Sequence, residues 1–329
     1  DALKYYKKSL EIMRKSEDRL SQGLSYGQMG NVYLSLFDYS ESIHYLNRSL
    51  SIFKDVGQYF NEGMVILFII EPLIETGQFK EAADFIIEAE NILNEYQDST
   101  INGRLYYYKG MLEFYKSNIG ESVDNLENSI EEYQVAQKNI ASFKGSLLLI
   151  EIHIFNKKFS MAQNIIEKIE TQVKQIKDNM LLLKYESLLY LINVTNDNIN
   201  DEGLRVIVEK ISNEKEQIEY YFSWWYLAIA SLLANNEGKA KEFLLKSQNL
   251  LKEKSKRDSD ESYYDILLNS NPINKQINTQ SADSFKEFAD SLISKSEKIE
   301  ASKFCGECGY SNVEMKPFCP ECGNKLKML

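Results

Sequence analysis

Four cysteines, all within the last 25 residues of a 329-residue chain, are the side chains whose type and spacing could do chemistry. They form two pairs, Cys305–Gly306–Glu307–Cys308–Gly309 and Cys319–Pro320–Glu321–Cys322–Gly323. Each pair is a Cys-x-x-Cys turn followed at once by glycine, which lets the turn fold beneath a metal with backbone N–H groups aimed at the sulfurs. Two such turns, with ten residues between them, can close a tetrahedral four-thiolate shell around one zinc ion. That shell leaves no open position for substrate water. The expected ligands are Cys305, Cys308, Cys319 and Cys322, and the expected role of the Zn2+ is structural. Disulfides would need an oxidising compartment. A redox Cys-x-x-Cys is usually single and sits on a strand-to-helix turn. So short a tract builds no core of its own, and metal binding on the order of 10–16 kcal/mol would supply its stability.

No catalytic constellation accompanies this site. The chain has 2 histidines, His44 and His153, and neither has a nucleophile pattern nearby. There is no Gly-rich phosphate loop, no Gly-x-Ser-x-Gly and no His-Glu-x-x-His. Carboxylates at helical spacing are what an acidic helical protein produces by chance. The sequence predicts no enzyme.

The elements that would position a site repeat every 40 residues. Small residues recur at Ala2, Ser42, Ala82, Ser122 and Ala162. Large apolar residues follow at Tyr6, Leu46, Ile86, Leu126 and Ile166, then Ser9, Ser49, Ala89, Ser129 and Ile169. A fixed period of this length marks a solenoid of stacked units, each too small to bury its own apolar face. Within one period, Gln22 to Phe37 and Ser42 to Phe53 read as two amphipathic helices. Beyond residue 180 the period drifts, and Leu181–Asn193 pairs with Glu202–Ile211, then Tyr220–Ala234 with Lys239–Leu251. Pro72 falls inside a predicted first helix and is expected to kink it or begin a new turn.

The unit Met29–Gly30–x–x–Tyr33, then Tyr39, Ser42, Leu46 and Ser49, resembles the tetratricopeptide repeat, and Gly110, Ser122, Leu126 and Ser129 repeat part of it. Ile70 and Ile150 stand where the helix-contact glycine belongs, and Glu113 and His153 where Tyr33 stands. The long period is similar to repeats of kinesin light chains and of regulatory arms of signalling ATPases. The resemblance implies an all-α fold, a right-handed solenoid of helix pairs over residues 1–255. The cysteine segment, 303–329, resembles a short zinc ribbon, with Phe304 and Phe318 before the two turns. Between them, 256–302 holds a short helix ending before Pro272, then an amphipathic helix from Ser281 to Ser302 expected to cap the array. Leu268, Asn271, Pro272 and Asn274 also resemble the Leu-x-x-Asn-Pro-x-Asn ending found after repeat arrays in some ATPases and nucleotide cyclases.

Net charge is −11 with the acids spread along the chain, which argues against a broad phosphate-binding surface. Lys303, Lys316, Lys325 and Lys327 alternate with Glu307, Glu314 and Glu321, so the cysteine segment has no basic face. Apolar runs fall far short of the ~20 residues that span a bilayer, and the first residues show no signal-peptide pattern. The expectation is a cytoplasmic protein. Its first residues, Ala2, Leu3, Tyr6, Leu10 and Met13, form an apolar stripe without a preceding partner helix, so the native protein is expected to continue upstream of Asp1.

In this repeat type the first helices line a concave face. The resemblance places Asn31, Met64, Leu67, Arg104, Tyr107, Met111, Phe114, Leu147, Phe222 and Trp225 there, with Leu24, Leu34, Glu71, Lys144, Glu151 and Ile229. The set is rich in aromatics and methionine, which suit a peptide or helix centred near Tyr107–Phe114. It lacks the repeated Lys/Asn pattern that captures a C-terminal carboxylate in chaperone-binding relatives. Burial by neighbouring repeats is the competing explanation for several of these positions. The expected function is a non-catalytic scaffold for a protein or peptide. The alternative is the C-terminal regulatory arm of a larger signalling ATPase or nucleotide cyclase whose catalytic domain lies upstream.

Overall fold

Helix ends set the rhythm of this molecule. Left-handed residues stand at 17, 37, 57, 77, 97, 117, 137 and 157, one every 20 residues, and again at 197 and 235. Only Gly57 and Gly77 of these are glycine. At most of them the next N–H reaches five residues back, as in Asp38 N to Tyr33 O (3.0 Å), Asn118 N to Glu113 O (2.8 Å) and Lys158 N to His153 O (2.8 Å). The left-handed N–H reaches three back, as in Phe37 N to Leu34 O at 3.0 Å. These paired bonds satisfy carbonyls that the helix end would otherwise orphan. The residue after the left-handed one then begins the next helix. Asp38 caps with its side chain on Glu41 N, as Asp98 does on Thr100 N and Ile101 N. Helix, two-residue stop and cap together give the half-period.

The computed structural model describes residues 2–294 apart from Ser16, Glu216 and Ser270. Helix α1 (Ala2–Lys15) leads into six pairs. These are α2 (Arg19–Ser35) with α3 (Tyr39–Val56), α4 (Tyr59–Glu75) with α5 (Phe79–Leu93), and α6 (Ser99–Tyr115) with α7 (Ile119–Val135). Then come α8 (Asn139–Phe155) with α9 (Phe159–Val173), α10 (Asn179–Thr195) with α11 (Asp201–Ser212), and α12 (Tyr221–Leu233) with α13 (Glu237–Ser255). Three further helices follow, α14 (Tyr264–Asn269), α15 (Pro272–Thr279) and α16 (Ala282–Ser294). The described residues contain no strand.

Small residues hold each pair close. Ser49, Ser129 and Ser247 each donate from Oγ to a carbonyl in the first turns of the paired helix (Gly23, Gly103 and Tyr221), all at 2.7 Å. A Cβ on Gly30 would sit 2.5 Å from Leu46 Cγ, and one on Gly110 2.7 Å from Leu126 Cγ, so a side chain there would force the facing leucine to shift. Where Ile70 and Ile150 replace that glycine, both are fully buried. Ser42, Ala82, Ser122 and Ala162 are buried completely, as are Leu46 and Leu126. Helix α4 runs through Pro72 to Glu75 without a break in its span. Pro72 lacks the N–H that would bond the Phe68 carbonyl and crowds that carbonyl, yet the helix continues one turn beyond it. Thr76 bonds back to Pro72 O through both its N (3.0 Å) and its Oγ1 (2.7 Å).

The tract after α13 does more than cover the end of the array. It runs back across the turns that join first to second helices, meeting them in chain order. Asp258 accepts from Tyr39 N (2.9 Å), Ser40 N (3.2 Å) and the Ser40 hydroxyl, at the first turn. Ser259 donates to Asp38 from N (3.1 Å) and Oγ (2.8 Å). Tyr263 OH lies 3.4 Å from Gln78 Nε2 at the second turn. Asn271 Nδ2 donates to Tyr115 OH (3.3 Å) near the third, and Lys157 Nζ donates to Ser291 O (2.9 Å) at the fourth. Beyond this strap, α16 packs Phe285 and Phe288 onto Trp225 of α12, with ring centroids 5.3 and 5.6 Å apart.

Candidate functional site: a channel between the first helices

Helical spacing puts Glu71 and Glu75 on one face of α4, Arg104, Tyr107, Met111 and Phe114 on one face of α6, and Lys144, Leu147 and Glu151 on one face of α8. The curvature of the array turns those faces toward each other. Between them lie two cavities that share Glu71, Tyr107 and Lys144 as walls. The wider, of about 1060 Å³, opens toward the turns that join second to first helices, beside Gln137, Asn139, Ile140 and Gln175. The deeper, of about 220 Å³, ends on the strap at Asn271 and Ile273, with Phe37 and Lys254 beside them. The result is a channel open at one edge of the solenoid and floored at the other.

Its floor is a network of buried charge. Glu151, whose side chain is 2 % exposed, pairs with Lys184 Nζ at 2.8 Å and accepts from Tyr226 OH at 2.8 Å. Glu75 accepts from Tyr115 OH at 2.5 Å, and its Oε2 lies 4.0 Å from Lys254 Nζ without a hydrogen bond. Lys254 stands over the rings of Phe37 (5.1 Å), Tyr221 (5.4 Å) and Tyr39 (5.9 Å), which stabilise a cation withdrawn from water. Asn271 caps α15 by accepting from Asn274 N at 2.7 Å, and Asn274 accepts from Tyr221 OH at 3.2 Å. The Asn271–Pro272–Ile273–Asn274 motif therefore serves as the strap's anchor to the array.

The middle and mouth differ from the floor. Tyr107 is pushed up to about 12 by burial. Lys144 projects into the open channel, and the neighbouring Tyr107 and Glu71 hold it protonated. Tyr108 donates to Glu71 Oε2 at 3.4 Å. Arg104 lies over the Phe68 ring at 4.8 Å, and its Nη1 is shut from water with no acceptor. Asn31 Oδ1 is likewise buried without a donor. Each such orphan costs about 1–3 kcal/mol, so the channel wall holds polar atoms that no protein group satisfies.

Of the residues the sequence pointed to, Asn31, Arg104 and Tyr107 line the wider cavity. Tyr107, Met111, Phe114, Leu147 and Phe222 line the deeper one. Leu67 is fully buried in the core, and Met64 packs partly buried against it, so neither lines the channel. Trp225 is 2 % exposed and covered by α16. Sequence reasoning missed Glu75, Lys184, Lys254 and Asn271. Glu75 was legible one turn after Glu71, but Lys254 and Asn271 arrive through the strap, which no local pattern announces. Cys305, Cys308, Cys319 and Cys322 lie outside the described residues. Among the described residues no group of three or more His, Cys, Asp or Glu could hold a metal ion, and no helix is long and apolar enough to cross a membrane.

Residues 1–55 match the tetratricopeptide repeat family. The regulatory protein RapG of Bacillus subtilis (strain 168) is 21 % identical over 188 residues, 56 % of this chain and 52 % of that protein. The 43 kDa receptor-associated protein of the synapse from Tetronarce californica is 19 % identical over 223 residues, 67 % of this chain and 54 % of that protein. The chain thus spans about half the length of the curated relatives it matches. Among solved structures, the apo form of RapI superimposes with a TM-score of 0.59 at 14 % identity, covering 75 % of this chain and 90 % of RapI. A Rap protein complexed with Competence and Sporulation Factor gives 0.58 at 14 % identity, covering 88 % of this chain and 71 % of that one. At such identity these likenesses show a shared helical-repeat fold.

Proposed function

We propose that this chain is a non-catalytic scaffold that holds a peptide, or one helix of a partner protein, in the channel between its first helices. The observation that carries this reading is the channel itself. It is lined from α4, α6, α8 and α10, open at one edge and floored at the other, with buried Asn31 Oδ1 and Arg104 Nη1 lacking partners. An extended peptide supplies what such a wall lacks, namely N–H donors, carbonyl acceptors and apolar side chains. The likeness to a Rap protein solved with Competence and Sporulation Factor lends support.

The test begins with material bound to the native chain, eluted and identified by mass spectrometry, then resynthesised. Its affinity for the chain should fall at least roughly tenfold when Tyr107 and Met111 are both replaced by Ala, a loss typical of a buried anchor. Unchanged affinity in a variant that still melts cooperatively would overturn the channel as the binding site.

The same reading gives Cys305, Cys308, Cys319 and Cys322 one zinc ion. Two Cys-x-x-Cys pairs are the donor set a closed tetrahedral site requires, and the metal would supply a cross-link in place of a core. Metal analysis of the purified chain should find one zinc per chain, lost in Cys308→Ser. Zinc retained by that variant would remove the assignment.

A further inference from the structure

The channel is not uniform in charge, and its charge at the mouth opposes that of the molecule. The wider cavity is lined by Arg104, Lys138 and Lys144, and Glu71 is its single carboxylate. The whole chain carries −11. At the floor, by contrast, each cation faces a carboxylate, Lys184 with Glu151 at 2.8 Å and Lys254 with Glu75 at 4.0 Å, and Glu219 adds a further acid. The cations of the mouth lie over aromatic rings, Arg104 over Phe68 at 4.8 Å and Lys144 over Tyr107 at 5.3 Å, with Glu71 the one carboxylate near them. Both act on the same two tyrosines, Tyr108 and Tyr133, so they flank one region of the cavity. Arg104 Nη1 adds a buried donor with no acceptor.

Cations gathered in a concave, partly dry wall raise the local potential, because low-dielectric walls focus the field. A guanidinium and an ammonium facing one space are the donor set that binds a carboxylate by charge-assisted hydrogen bonds. Resting on the peptide-binding reading, we propose that the segment held in this channel is acidic, with a carboxylate seated between Arg104 and Lys144 in the wider cavity. The other end of the channel then receives apolar residues against Met111, Phe114 and Leu147. Two sources supply the same chemistry, an Asp or Glu side chain and the peptide's own C-terminus.

The experiment uses the full chain and fluorescein-labelled pools of short synthetic peptides with a common apolar content. One pool carries Asp and Glu, one Lys and Arg, one Asn and Gln, each as free acid and as C-terminal amide. Binding is read by anisotropy for the native chain and for Arg104→Ala, Lys144→Ala and Lys144→Arg. The acidic pool should bind best, lose roughly tenfold or more with either Ala variant, and recover in part with Lys144→Arg. Affinity lost on amidation identifies the C-terminus as the source. Affinity kept on amidation, but absent from the Asn/Gln pool, identifies the side chain. If the basic or neutral pool binds as tightly, or if both Ala variants leave the acidic pool unaffected, the carboxylate seat is overturned while peptide binding stands. If no pool binds and the variants melt like the native chain, the peptide-binding reading falls, and the seat with it.

Discussion

At the residue scale, His153 shows what burial does to a titratable group in this array. It stands 2 % exposed in the last turn of α8, and burial pushes its imidazole down to about 4, with Lys158 nearby adding to the effect. An unfolded chain binds that proton near 6.5. Between about 6.5 and about 4, therefore, the unfolded state holds a proton that the folded state refuses. Stability then falls with pH across that window, by on the order of 3 kcal/mol for this one group. The stability of the native chain minus that of His153→Leu should fall as pH falls, because carboxylates titrate alike in both proteins. Parallel stability curves from pH 7 to 4, followed by urea unfolding at each pH, would remove the imidazole from the account. The sequence marked His153 as a packing position because it sits where Tyr33 stands in the best-matched unit. It could not show how dry that position is.

At the element scale, the question is which glycines hold the helices together and which are incidental. Gly110 and Gly120 make the comparison, since both lie within helices. A Cβ on Gly110 meets Leu126 Cγ at 2.7 Å and the Ser122 carbonyl at 3.1 Å, whereas one on Gly120 meets nothing within 4 Å. Replacing glycine by alanine in a helix gains up to about 1 kcal/mol of propensity. Overpacking a close crossing costs about 1–3 kcal/mol. The crossing wins at Gly110, where a backbone oxygen limits any relaxation, and Gly110→Ala should lose about 1–2 kcal/mol. Gly120→Ala should be neutral or stabilising. Chemical denaturation of the two variants checks this, and equal midpoints would show that α6 and α7 do not depend on close approach. The helices and their pairing were legible because small and large residues alternate at fixed spacing. The left-handed stops were not, since Phe37, Ser117, Gln137 and Lys157 are unremarkable in composition yet all adopt positive φ.

At the scale of the whole molecule, the strap converts an open array into one whose first and last units meet. Asp258 is the point of closure. Its carboxylate takes the N–H groups of Tyr39 and Ser40 at the start of α3, the Ser40 hydroxyl and its own Asp260 N–H at 2.9 Å. The helix N-terminus and the anion favour each other, and 94 % burial keeps water from replacing them. Asp258→Ala leaves Tyr39 N–H without that acceptor and should cost about 2–3 kcal/mol. It should also raise the radius of gyration in small-angle scattering and open the α13–α14 link to protease. A variant with native radius and native protease resistance would show that the strap's other contacts, through Ser259, Tyr263, Asn271 and Ser291, hold it without Asp258.

The sequence by itself determined the helices, the 40-residue period, the apolar face of each helix and the cysteine pairs. All of these are local signals, fixed by spacing along the chain. Tertiary structure decided which concave positions stay open. Tyr107 faces the channel, Leu67 is in the core and Trp225 lies beneath α16, although the repeat pattern placed all three on the concave face. It also decided that Lys254 and Asn271 belong to the channel floor, and that cations without ion-pair partners gather at its mouth. Those outcomes depend on how far the array curls before its end meets its beginning. That curl sums small rotations between neighbouring units, and no single stretch of sequence encodes it.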